Sequence, residues 1–245
     1  SLRATIAETY EVPTHADFAT ALTSDIDAVV ICTPPPLHVP MARAALQASK
    51  HVLIEKPLAA DFTGVAELLD DEAKSDRSVA VAYVQHVYPF LQAARRFLQE
   101  GTLGPVKHVT FIGGSHFPTG RPAHTVHYAD TYYARRSTGG GVIQDAITHT
   151  ANFVESVIGP TDSLYCDCAH QVLQAPTEGM LQFHTAAGSV KIDTHQQRWG
   201  IFRLGDADWT WHEDPVPERD SHFEAQAHAF LDQIEGQAPR LCSLE

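Results

Sequence analysis

His51-Val52-Leu53-Ile54-Glu55-Lys56-Pro57 is an apolar run that stops at an acid, a base and a proline. Val52, Leu53 and Ile54 predict a buried strand, and Glu55-Lys56-Pro57 the turn at its carboxyl end. In open α/β sheets, ligands bind outside the carboxyl ends of the strands, so a lysine at such an edge has something to act on. The other reading is a surface turn with a solvated lysine, and these residues alone weigh the two equally.

The flanking segments set that strand in a repeating pattern. Residues 27–32 (Asp-Ala-Val-Val-Ile-Cys) are near-continuously apolar, as in a strand buried on both faces. Thr33-Pro34-Pro35-Pro36-Leu37-His38 ends that run and stiffens the loop. Pro40 suits the first turn of a helix with Met41, Ala42, Ala45 and Leu46 on one side. Upstream, Leu2, Ile6 and Tyr10 repeat at helical spacing. Downstream, Asp61 is the expected N-cap of a helix through Val65, Leu68 and Leu69. Residues 79–83 predict a third strand, and residues 89–99 a helix that stops at Gly101. Strands and helices alternating at this spacing imply a parallel sheet with right-handed crossovers.

Past residue 105 the pattern changes. A strand at 106–113 precedes a loop-rich stretch to Thr138, then a helix from Gly139-Gly140-Gly141 to about residue 158. Strand-like segments follow at 164–168, 179–184, 189–193, 200–204 and 208–212. Ser221 and Glu224 have capping-box spacing ahead of an apolar stripe, Phe223, Ala227, Phe230, Leu231 and Ile234. The fold class is therefore α/β. An incomplete Rossmann-like parallel-sheet domain over residues 1–105 precedes an α+β domain over 106–245 with a mostly antiparallel sheet.

Of the 245 residues, 44% are hydrophobic and 19% charged, and the formal net charge is −13. That acidic balance argues against nucleic acid or an anionic membrane as the main partner, since both select basic surfaces. No apolar run has the length of a membrane span, and no secretory signal opens the sequence. Four cysteines are too few and scattered for a disulfide framework, which points to reduced thiols in a cytoplasmic protein.

Asp145 and His149 are four apart in the helix after the glycines, which would put them on one face with Asn152 and Ser156. Ile143, Ile147, Val154 and Ile158 would form the opposite, apolar face. An ordinary amphipathic helix reads the same way. The glycines favour function, because they let backbone approach a ligand closely. His124, His127 and Asp130 can be drawn with Asp145 and His149 as a metal site. In a chain with 15 histidines and no HExxH pattern that is a coincidence, and no metal is expected. Residues 121–136 hold Tyr128, Tyr132, Tyr133, Arg135 and Arg136. Loop packing with a subunit contact is one reading. Recognition of substrate hydroxyls or a carboxylate, with Tyr128 and above all Arg136, is the other. Trp199, Trp209 and Trp211 read as sheet-face or dimer-interface residues.

Thr33-Pro34 with His38, then Glu55-Lys56-Pro57, then Gly139-Gly140-Gly141 with Asp145 and His149, together resemble the Gfo/Idh/MocA oxidoreductases. The resemblance runs from about Phe18 to Gly159 and is weaker after Pro160. It implies a two-domain dehydrogenase using NAD or NADP on sugars, inositols and related polyols, as a homo-oligomer (dimer or tetramer) formed through the second domain's sheet. It also implies that Thr33, Pro34, His38, Glu55, Lys56 and Pro57 lie at the nicotinamide–ribose site. Lys56 would reach the reacting centre, and His149 would be the acid/base beside Asp145. Two positions depart from the family pattern: Ile147 stands where a glycine is usual, and His86 where an arginine often precedes the proline of the 89–99 helix.

The Gly-x-Gly-x-x-Gly turn of a Rossmann domain is absent from the sequence. The chain is thus expected to lack the first strands of that domain, with a second suspicious join at Leu173-Gln174. Two rival functions remain open: a lyase or glycosidase with transient redox, and a non-catalytic sugar or nucleotide sensor.

Overall fold

The computed structural model describes residues 2–114, 127, 130–135, 138, 140–141, 143–166 and 178–244. The chain divides into two compact units, Ser1–Ala82 with Phe230–Glu245, and Tyr83–Ala229.

In the first unit, helices α1 (Leu2–Tyr10) and α2 (Phe18–Leu22) lead to strand β1 (Ala28–Ile31). Helix α3 (His38–Gln47), strand β2 (His51–Ile54), helix α4 (Val65–Ala73) and strand β3 (Val79–Val81) follow. Asp17 caps α2 by accepting the Thr20 backbone N–H at 2.8 Å. The strands form a parallel sheet in the order β1-β2-β3, with Ile31 beside Ile54 and Ile54 beside Val81. β2 is central and buried at all four positions, which explains its uninterrupted apolar sequence. β1 is different: it stands at the edge of the three strands, and Val30 is 59% exposed rather than covered on both faces. Ala42, Ala45 and Leu46 of α3 and Leu68 of α4 pack with Ile31, Val52 and Ile54 into one core. The end of the chain joins this unit. Val81 donates its N–H to the Cys242 carbonyl at 2.8 Å, and Gln233 Nε2 reaches the Val79 carbonyl at 3.3 Å.

The cap of α4 is not Asp61. That carboxylate accepts the Thr63 N–H at 2.8 Å in a tight local turn. The chain then enters α4 through Gly64, at φ 76°, a left-handed conformation natural to glycine.

In the second unit, a short 3₁₀ turn (Val84–Val87) precedes α5 (Pro89–Gln99), which starts at a proline and is followed by Gly101 at φ 69°. Strands β4 (Val106–Gly114), β5 (Glu178–Thr185), β6 (Gly188–Asp193), β7 (Arg198–Arg203) and β8 (Thr210–Glu213) form an antiparallel sheet in sequence order. Alternation puts Leu181, Phe183, Val190, Ile192, Trp199 and Ile201 on one face, packed on Phe90, Leu91 and Ala94 of α5 and on Phe153. Trp199 is therefore a core residue, 7% exposed and stacked on the His212 ring at 4.4 Å. Trp209 and Trp211 lie on the other side of the sheet, under Lys191 and Arg198. No strand forms at 164–166, and the rest of that expected segment, like the Leu173-Gln174 join, lies outside the described residues.

The helix after the glycines begins as a π-helical turn (Ile143–Ile147) and continues as helix α6 (Thr148–Ile158). A π turn closes over five residues, so faces counted at α-helical spacing are out of phase across it. Ile143 and Ile147 are accordingly exposed, each 44%, whereas Asp145 is buried and Phe153 carries the core contact. The last helix, α7 (Arg219–Ile234), starts two residues before Ser221. The Ser221 hydroxyl donates to the Glu218 carbonyl instead of closing a capping box with Glu224.

Candidate active site

In the first unit the strand register brings two motif turns side by side. Glu55 N–H donates to Ile31 O at 2.9 Å and Ala82 N–H to Ile54 O at 2.8 Å, so the carboxyl ends of β1, β2 and β3 finish level. Thr33-Pro34 leaves β1 and Glu55-Lys56-Pro57 leaves β2. Pro34 is extended (φ −60°, ψ 145°), and Pro35–Leu37 form a 3₁₀ turn that delivers His38 as the first residue of α3. His38 is 1% exposed. Its Nδ1 is 2.9 Å from the Pro57 carbonyl oxygen and its Nε2 2.6 Å from the Thr33 carbonyl oxygen. One imidazole thus spans both turns. Carbonyls only accept, so a neutral ring donates to one of the two and a doubly protonated ring to both. The Thr33 hydroxyl reaches the Met41 sulfur at 3.5 Å, and the Lys56 N–H meets the Glu55 carboxylate at 3.2 Å. The Lys56–Pro57 peptide is cis. Glu55 and Lys56 are half-buried and Pro57 is buried.

Asp145 and His149 belong to the second unit. Asp145 sits inside the π turn, 3% exposed, its N–H on the Gly141 carbonyl at 3.0 Å. His149 lies in the first turn of α6, half-buried, with its ring edge-to-face on Tyr83 (centroids 5.6 Å, planes 83°). The preceding loop is knit locally. Thr138 Oγ1 is 2.8 Å from the Tyr132 carbonyl oxygen, and Gly140 N–H donates to the Arg135 carbonyl at 2.9 Å. Tyr128 and Arg136 lie outside the described residues.

A histidine not counted among the site residues stands out. His86 is 7% exposed, with Nε2 2.6 Å from Asn152 Oδ1 and Nδ1 3.3 Å from Arg95 Nη1. Burial holds its pKa below the usual histidine value; the Asn152 bond opposes that shift and the Arg95 charge adds to it. In sequence, the sign of this network is a matched spacing: Tyr83 and His86 are three apart, as are His149 and Asn152. Among the described residues, no group of three or more His, Cys, Asp or Glu is placed to hold a metal, and no helix is long and apolar enough to cross a membrane. Cys32 is a free thiol.

A parallel β-α-β unit with level strand ends and polar turns, followed by an antiparallel sheet backed by helices, defines a Rossmann-like α/β protein with an α+β second part. Residues 2–83 match the family model described as an oxidoreductase family with an NAD-binding Rossmann fold, and residues 91–200 match the model of the Gfo/Idh/MocA C-terminal domain. The chain belongs to the Gfo/Idh/MocA oxidoreductase family.

Among curated relatives, an uncharacterised oxidoreductase of Synechocystis is 30% identical over 154 residues, 62% of this chain and 40% of that protein. Inositol 2-dehydrogenase of Rhizobium meliloti is 28% identical over 154 residues, 63% of this chain and 43% of that protein. The chain spans about half the length of the curated relatives it matches. Among solved structures, levoglucosan dehydrogenase in complex with NADH and levoglucosan superposes with a TM-score of 0.78 at 18% identity, covering 99% of this chain and 80% of the other. That likeness is one of fold.

Proposed function

We propose that the protein is an NAD- or NADP-dependent dehydrogenase moving a hydride between the nicotinamide and a CH–OH carbon of a sugar, inositol or related cyclic alcohol. The observation that carries this reading is the His38 ring tying the turn after β1 to the turn after β2. It builds one rigid edge from Thr33, Pro34, Glu55, Lys56 and Pro57 where a Rossmann-like sheet receives its nucleotide. These residues fit the nicotinamide–ribose side of such a cofactor: backbone carbonyls pinned by His38, flat proline surfaces and one lysine. The bound cofactor supplies the hydride acceptor or donor.

The chain's own residues handle the proton. A carbinol gives up hydride only as its hydroxyl proton leaves. His149 takes that proton at neutral pH, a contribution of roughly 10²- to 10⁴-fold for a placed general base. Lys56 donates a hydrogen bond to the same oxygen as negative charge develops on it. Asp145, earlier in the same helical run, orients His149 and favours its protonated form. In reduction the proton runs the other way. The first unit is the cofactor part of this reading and the second unit the substrate part. Arg136 and Tyr128 are its substrate-recognition residues, and the sheet side bearing Trp209 and Trp211 is its contact between copies.

The test is fluorescence titration with NAD(H) and NADP(H), followed by turnover on a panel of inositols and aldoses with product analysis. Net oxidation with stoichiometric cofactor reduction supports the dehydrogenase. Product formed without net redox change would replace it with the lyase reading, and no nucleotide binding would replace it with a sensor of another ligand.

A further inference from the structure

The 3₁₀ turn before α5 and the first turns of α6 meet through two side-chain pairs at the same spacing. Tyr83 and His86 are one 3₁₀ turn apart, and His149 and Asn152 are close to one α turn apart, so each pair of side chains lies on one face of its element. On the first rung the Tyr83 ring stands edge-to-face on His149. On the second, His86 Nε2 and Asn152 Oδ1 are 2.6 Å apart.

The hydrogen bonds have a fixed direction. An amide oxygen only accepts, so the proton is on Nε2 of His86. A guanidinium only donates, so Nδ1 of His86 is the acceptor for Arg95 Nη1 at 3.3 Å. A neutral Nε2–H imidazole satisfies both contacts at once. The turn around His86 is held as well: its N–H donates to the Tyr83 carbonyl at 3.0 Å, and its carbonyl accepts Gln92 Nε2 at 2.7 Å. Arg95 and Gln92 both come from α5, so α5, the 3₁₀ turn and α6 converge on this one ring.

We propose that His86 is the positioning residue for His149, fixing the first turns of α6 through Asn152 and holding the Tyr83 ring against the His149 imidazole. His86 does not touch the substrate in this arrangement. Its part is to allow His149 one orientation, and misplacement of a reacting group by about 1 Å costs on the order of 10²-fold in rate. The catalytic consequence rests on the proposed dehydrogenase reading; the structural coupling does not.

The experiment is NMR of the full chain labelled with ¹⁵N-histidine, comparing the His149 ring signals in the parent, His86→Leu, His86→Gln and Asn152→Ala. Leucine removes both hydrogen bonds, whereas glutamine offers an N–H to Asn152 and an oxygen to Arg95. The expected result is that His149 ring signals shift and broaden in His86→Leu and Asn152→Ala and return toward the parent in His86→Gln. Where turnover is measurable, kcat falls roughly 10- to 100-fold in His86→Leu with KM little changed. If His86→Leu does not fold, Asn152→Ala carries the test from the other side of the bond. His149 signals that overlay the parent in a folded His86→Leu or Asn152→Ala protein would overturn the proposal, whatever the enzyme assay gives. Full turnover by His149→Ala would overturn the dehydrogenase mechanism and leave the NMR result standing.

Discussion

His38 Nδ1 lies 2.9 Å from the carbonyl oxygen of Pro57, a residue 19 positions further along the chain. Through its other nitrogen the same ring reaches the Thr33 carbonyl, so two turns that leave different strands share one clamp. Replacing His38 with phenylalanine keeps the bulk and removes both polar contacts. A buried carbonyl left without a partner costs about 1–3 kcal/mol, so the chemical-denaturation midpoint of His38→Phe is expected to fall. The separation of the turns should relax with it, and NAD(H) affinity is expected to weaken more than the loss of stability alone would produce. Unaltered nucleotide titrations in a folded His38→Phe protein would remove the clamp from the cofactor site.

Acid should weaken the fold through particular histidines. His51 accepts the Ser78 N–H on Nδ1 at 2.9 Å, and burial, then the Arg77 charge, depresses its pKa below 6.5. His86 is depressed mainly by burial, and His222 by burial. Above pH 6.5 these rings are neutral folded and unfolded, and their favourable contacts are fully present. As pH falls below 6.5 the unfolded chain takes up protons that the folded chain resists, so stability drops toward the lower folded-state pKa values. Urea midpoints from pH 8 to pH 5 should therefore decline below about 6.5, less steeply in His51→Asn. A flat profile would contradict the assignment.

Lys56→Ala and His149→Ala are each expected to lower kcat/KM by roughly 10²-fold or more, with far-UV circular dichroism unchanged. The two should differ in pH dependence: loss of His149 removes the limb of the rate profile nearest neutrality, whereas loss of Lys56 leaves it. Turnover of the true substrate surviving both substitutions would defeat the catalytic assignment.

Gly200 offers a test of the sheet. A Cβ built there would come within 2.9 Å of the Trp211 ring, which lies flat over the glycine with Arg198 on it at 4.2 Å. Gly200→Ala should lift the indole, lose the cation–π contact and cost about 1–3 kcal/mol. Trp211 fluorescence and the thermal midpoint report the two effects together.

The parts legible in sequence were those governed by simple periodicities. β2 reads as a strand because all four of its residues are buried, and α5 because Pro89 and Gly101 mark its ends. The helix carrying Asp145 and His149 is legible in the sequence, but its buried side is not. Its first turn is π, and polarity assigns the buried side to Ile147, which is exposed, rather than to Asp145, which is buried. The N-cap of α4 is not legible from Asp61, because that carboxylate has a nearer partner in Thr63. The His86–Asn152 bond joins residues 66 apart and leaves no local pattern beyond two matched intervals of three. Family membership is legible in the order of the motifs, which depends on neither helix phase nor cap position.

The bridge from Val81 to Cys242 has a consequence for how the molecule is made. The first unit is split in sequence, with the whole of the second inserted between its pieces. On the ribosome, α1 to β3 emerge early, but the segment that pairs with β3 arrives only after the second unit has been synthesised. Until then the backbone of β3 stands open as a sheet edge, the kind of surface that recruits a wrong strand. A chain stopped just before Phe230 would freeze that interval, and chaperone binding to the stalled product, compared with the full chain, would report the exposed edge.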